Sequence, residues 1–164
     1  MKTLTRFSSL LLAAGLFMPA GYIPAAEEEA GGDQPQMVVA VRSPKSFPET
    51  LRVFQEEVRA AGWSVLNANN MAGTLSERGY TIHPVVILDV CSGRYSARIL
   101  EEDEYRPVSA FMPCRVSIYQ TSEGEVWIAR MNTAAFSAMM PPEVAEVMEA
   151  SDAEISAVIE RTTR

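Results

Sequence analysis

Residues 113–132 read PCRVSIYQTSEGEVWIARMN. Two alternating runs, 113–120 and 125–132, flank the turn Ser122-Glu123-Gly124. Period-two alternation on either side of a Gly-containing turn is the signature of a β-hairpin. Val116, Ile118, Val126 and Ile128 then share one buried face, and Cys114 shares the parity of Val116 and Ile118, so its side chain also points inward.

Working outward, the preceding segments alternate between helical and extended patterns. Met37–Arg42, MVVAVR, reads as a strand. Ser46 is placed as a helix N-cap, with Pro48 early in the helix and Glu49 three residues on to complete a capping box. Leu51, Phe54, Val58 and Ala61 follow at helical spacing, and Gly62 suits a left-handed C-terminal position. Trp63–Leu66 reads as a brief strand. Asn67, Asn69 and Asn70 read as a turn and a new cap, Met71–Arg78 as a short helix closed by Gly79. Tyr80–Cys91, YTIHPVVILDVC, is β-branched and extended, a central strand with Pro84 at its outer end. Arg94–Glu102 reads as a helix with Ala97 and Leu100 on one side, and Glu101–Glu104 as a solvated acidic loop.

After the hairpin, Thr133 caps a short helix over Ala134–Met140, which Pro141-Pro142 breaks. A last helix carries Val144, Val147, Met148, Ile155, Val158 and Ile159 as its core stripe. The order is β-α-β-(short α)-β-α-β-β-α. The fold class is therefore α+β: a curved antiparallel β-sheet with helices packed on one face.

The ends of the chain concern compartment. Lys2 and Arg6 precede an apolar stretch, Ser9–Ile23, then the small residues Ala25 and Ala26: the order of a secretory signal peptide. The stretch is short and interrupted by Pro19, below the roughly 20 apolar residues of a spanning helix. Residues 1–26 are thus expected to be a cleaved signal, with no membrane span after its removal. Residues 27–36, EEEAGGDQPQ, form a disordered acidic linker, and residues 37–164 a single α+β domain, long enough at about 125 residues to bury a core of its own. The short basic start suggests a bacterial protein, periplasmic or secreted. The chain carries a net charge of −7, and losing the two positive charges of Lys2 and Arg6 takes it to −9. Such a balance disfavours nucleic acid and anionic lipid.

Two cysteines are present, Cys91 at the end of the long strand and Cys114 at the start of the hairpin. In an oxidising compartment an even pair is normally bridged. Closing this loop would stabilise by roughly 3 kcal/mol in the chain-entropy model. Buried free thiols and a redox-active or metal-binding pair are the other readings, although the spacing is not that of a C-x-x-C dithiol motif. His83 is the only histidine, which excludes a catalytic triad and a two-histidine zinc site. Eight extended residues, about 26 Å, separate it from Cys91. Methionines are plentiful, among them Met112 beside Cys114 and the pair Met139-Met140. Thioethers and thiolates hold Cu(I), but methionine more often fills core gaps.

The stretches GWSVLNANNMAGTLSERG (62–79), VVILDVC (85–91) and FMPCRVSIYQ (111–120) resemble the uncharacterised family known as domain of unknown function 302, over about residues 37–136. The resemblance implies a fold similar to the TATA-binding-protein-like group and carries the family's cysteines to Cys91 and Cys114, its glycine to Gly62 and its proline to Pro113. Members commonly have proline after the first cysteine, where this chain has Ser92-Gly93, which implies a looser turn. The resemblance further implies that some relatives keep both cysteines without an export signal, which weighs towards a ligand or redox role. The family has no agreed activity.

The expectation is a non-enzymatic exported binding or accessory domain, with no cofactor and no metal. Its cleft would lie near the cysteine pair, with Arg94, Pro113 and Arg115, and hold a small ligand or a periplasmic protein partner. A thiol-disulfide redox protein acting through Cys91 and Cys114 is the first alternative. A copper or haem binding protein is the second. An exposed sheet edge suits a homodimer.

Overall fold

In the computed structural model, which describes residues 36–164, five strands form one antiparallel sheet: β1 (Val38–Ser43), β2 (Ser64–Asn70), β3 (Val85–Cys91), β4 (Cys114–Gln120) and β5 (Val126–Met131). Their spatial order is β1-β5-β4-β3-β2. The hairpin β4–β5 occupies the middle, with Tyr119 opposite Trp127 and Gln120 opposite Val126. Gly124 turns it at φ +83°, a left-handed conformation that glycine adopts freely. The expected signal peptide and nearly all of the expected linker lie outside the described residues.

Three helices connect strands, α1 (Phe47–Ala60), α2 (Met71–Ser76) and α3 (Gly93–Leu100), and a fourth, α4 (Pro142–Thr163), follows the last strand. One face of the sheet, Val86, Leu88, Val90, Val116, Ile118, Val126 and Ile128, is sealed by Phe54 and Val58 of α1 and by Ile155, Val158 and Ile159 of α4. Alternation places Val85, Ile87, Ser117, Tyr119 and Trp127 on the opposite face, where they are only half-buried. A second, smaller cluster joins Ile99 of α3 to Val144, Val147 and Met148 of α4. The α+β class, the antiparallel sheet and the helical packing are those the residue pattern predicts.

Differences are local and have physical causes. Ser46 is the N-cap of α1, but its side chain makes no capping hydrogen bond; its hydroxyl and Glu49 form no capping box. The strand β2 continues through Asn69 and Asn70, with an irregularity between Val65 and Asn67. Pairing along β3 overrides the turn preference of asparagine, although the Asn70 side chain still caps α2 by accepting from Gly73 N at 3.0 Å. The extended segment before Val85 is not sheet, and β3 lies second from the edge, with β4 at the centre. On α3 the buried residue is Ile99, and Leu100 is exposed. Two 3₁₀ segments, Arg106–Phe111 and Thr133–Met139, stand where the pattern gave no assignment and an α-helix respectively. Ser92 and Gly93 do not make a loose turn: Ser92 is buried as the N-cap residue of α3, and Gly93 is its first helical residue.

Candidate functional site at the cysteine end of the sheet

Cys91 is the last residue of β3, and Cys114 is the first of β4. In the antiparallel register Cys114 lies opposite Val90, so the two cysteines are one residue out of step. Ladder geometry puts such diagonal Cα atoms about 6 Å apart, inside the range a disulfide spans. The thiols are nevertheless free. The expected bridge is not formed: Cys91 Sγ is turned to Ser96 Oγ, 3.0 Å away, and not bonded to Cys114.

Each sulfur has its own surroundings. Cys91 immediately precedes the N-cap of α3, and its side chain folds back onto the first turn, where Sγ lies 3.0 Å from Ser96 Oγ. This is the geometry of a staple between the residue before a cap and the fourth helical residue. Cys114 packs against the main core. Burial pushes its thiol above the ordinary value of 9.0, and the nearby Cys91 adds to this.

Both cysteines line a small inner cavity of about 60 Å³ at the seam of the two core clusters. Trp63 and Val90 of the main core, Ile99, Val147 and Met148 of the smaller cluster, and Tyr95, packed against both, line it. Trp63 and Tyr95 meet edge to face, 6.1 Å between ring centres. The Trp63 indole N–H donates to Glu154 at 2.7 Å. A larger outer cleft of about 340 Å³ adjoins it, lined by Phe111, Met112, Pro113, Cys114, Arg115, Arg130 and Met131 among others. Phe111, Met112, Pro113, Cys114 and Thr133 belong to both walls. Phe111, at the end of the 3₁₀ segment that the residue pattern did not foresee, and Thr133, at the start of the short helix that it did, thus line both cavities.

Of the predicted cleft residues, the structure brings together Cys91, Cys114 and Pro113 on the inner wall, and Pro113, Cys114 and Arg115 on the outer one. Arg94 stands apart. Its guanidinium lies 4.8 Å from the centre of the Tyr95 ring and pairs with Glu154, and it lines neither cavity. Arg115 Nε approaches Asp89 Oδ1 to 3.4 Å, within ion-pair range but not aligned to hydrogen-bond it, since that buried oxygen has no hydrogen-bond partner. His83 is exposed and lies outside the strand.

Beside the outer cleft sits a buried ion pair that the residue pattern did not single out. Arg130 donates to both Asp152 oxygens, at 2.5 and 3.0 Å, and to Ser156 Oγ at 2.6 Å. Asp152 also accepts from the Thr133 backbone N–H and hydroxyl, each at 2.9 Å. The two side chains are 9% and 12% exposed. A signal was present: Arg130 follows Val126 and Ile128 at inward parity, and Asp152 lies four after Met148 on the α4 stripe. A charge at each of two core positions calls for a partner.

Fold and site together define an α+β domain with an open antiparallel sheet and a thiol-walled cavity at one end of its inner strands. The family model of domain of unknown function DUF302 matches residues 39–162, and the chain belongs to that family. It is similar to the uncharacterized conserved DUF302 protein from Bacillus stearothermophilus, known from a crystal structure: 27% identity and a TM-score of 0.71, covering 79% of this chain and 99% of that one. No curated protein matches the chain.

Proposed function

We propose that this is an exported binding domain, not an enzyme, whose outer cleft holds a small organic ligand with an apolar body and an anionic group. The cleft itself carries the reading. Its volume of about 340 Å³ falls at the lower end of the roughly 300–1,000 Å³ usual for small-molecule sites. Phe111, Met112, Pro113 and Met131 supply apolar walls, and Arg115 a cation at the mouth. Thiol-disulfide catalysis is less well supported. A nucleophilic cysteine needs a depressed thiol pKa, and that of Cys114 moves upward. Export rests on the basic start and short apolar stretch of residues 1–26. No described helix is long and apolar enough to cross a membrane.

The test uses 8-anilinonaphthalene-1-sulfonate, which combines an apolar ring system with one negative charge. One saturable site with enhanced fluorescence is expected, about tenfold weaker in Arg115→Gln, the loss of one charge-assisted contact, and weakened also in Phe111→Ala. Binding without saturation, or binding indifferent to both substitutions, rejects the cleft as the site.

A further inference from the structure

The inner cavity differs in kind from the outer cleft. At about 60 Å³ it is far below the size of an organic-ligand pocket and has room for an ion or a few waters. Four of its lining residues carry sulfur: Cys91, Cys114, Met112 and Met148. None is His, Asp, Glu, Lys or Arg. Among the described residues, no three His, Cys, Asp or Glu side chains come together in a way that could hold a metal. A wall with thiols and thioethers but no imidazole or carboxylate is poorly matched to magnesium or calcium, which take oxygen ligands, and offers zinc fewer than its usual ligands. It is matched to a soft cation that accepts low coordination by sulfur.

We propose that the inner cavity binds one soft monovalent cation of the Cu(I) class, held by the Cys91 and Cys114 sulfurs with a thioether from Met112 or Met148. Binding involves no redox change. Two S–H protons leave to solvent, each sulfur donates a lone pair to the ion, and the assembly of one cation with two thiolates carries a single negative charge. Ser96 Oγ, 3.0 Å from Cys91 Sγ, then donates its O–H to the thiolate, the outer-shell contact that orients a ligand. The free state of both thiols keeps both donors available. Entry runs through the outer cleft, which shares Met112, Pro113 and Cys114 with the inner wall.

The full chain, reduced and kept without oxygen, is titrated with Cu(I) against bathocuproine disulfonate. One Cu(I) per chain is expected, with an ultraviolet thiolate-to-copper band. Cys91→Ser and Cys114→Ser should each weaken retention beyond the roughly 10- to 100-fold typical of outer-shell changes, and Ser96→Ala within that range. The double variant Met112→Leu, Met148→Leu should weaken it without abolishing it. A second readout needs no substitution: Cu(I) should shield both thiols of the native chain from N-ethylmaleimide, counted by mass. No retained ion, retention indifferent to both cysteine substitutions, or fewer than two shielded thiols overturns the proposal. The anilinonaphthalene assay reads the outer cleft, so either site can fail without the other.

Discussion

At the scale of single residues, Asp152 holds the largest concentration of polar contacts in the described chain. It ties β5, the second 3₁₀ segment and α4 at one point. Burial pushes its carboxyl up, but hydrogen bonds from Arg130 and Thr133 outweigh this and hold it below the ordinary 3.8. A folded-state value below the unfolded one means that the stabilisation is fully present above the unfolded value. It is lost as pH falls through the folded one. Removing one partner of a buried ion pair strands the other, at a cost of about 3–5 kcal/mol. Asp152→Asn, which keeps the shape, is expected to lose about 3 kcal/mol in urea unfolding at neutral pH. The gap to the native chain should narrow as pH drops below 3.8. Equal midpoints at pH 7 would show that the pair adds nothing over a neutral amide.

Among the elements, the C-terminal end of α1 is where sequence and structure agree. The backbone N–H of Gly62 bonds to Arg59 O at 2.9 Å, with the residue at φ +77° and open space where a Cβ would stand. The strain of an alanine there is conformational, not steric, and costs about 1 kcal/mol. Gly93 also has open space but no positive φ, and alanine favours helices more than glycine does, so Gly93→Ala is expected to be neutral or slightly stabilising. The temperature of thermal unfolding should therefore fall for Gly62→Ala and stay level or rise for Gly93→Ala. A matched fall in both would place the cost elsewhere. The strand β2 shows the limit of local reading. Its asparagines are exposed and favour turns, yet the neighbouring β3 recruits them into the ladder.

For the whole molecule, the two apolar clusters meet at α4, whose Ile155, Val158 and Ile159 belong to one and Val144, Val147 and Met148 to the other. All the core contacts described lie within Pro35–Arg164. A chain beginning at Pro35 is expected to unfold in a single cooperative transition at the same temperature as the full chain. A drop of several degrees, about 1 kcal/mol for a domain of this size, would mean that residues 1–34 contribute to the fold.

The linear pattern by itself determined the order of strands and α-helices and the inward face of the sheet. The alternation in 113–132 and the helical stripe from Val144 to Ile159 each satisfy a periodicity that only one kind of backbone provides. It also marked Cys91 and Cys114 as neighbours, since both stand at strand ends of one sheet. Only the tertiary structure decided that their side chains leave the ladder out of step and remain free thiols. It alone closed the 3₁₀ segments over them into two cavities, drew Arg94 away to Glu154 and Tyr95, and joined Arg130 to Asp152. Those outcomes depend on contacts between residues distant in the chain, which local periodicity does not encode.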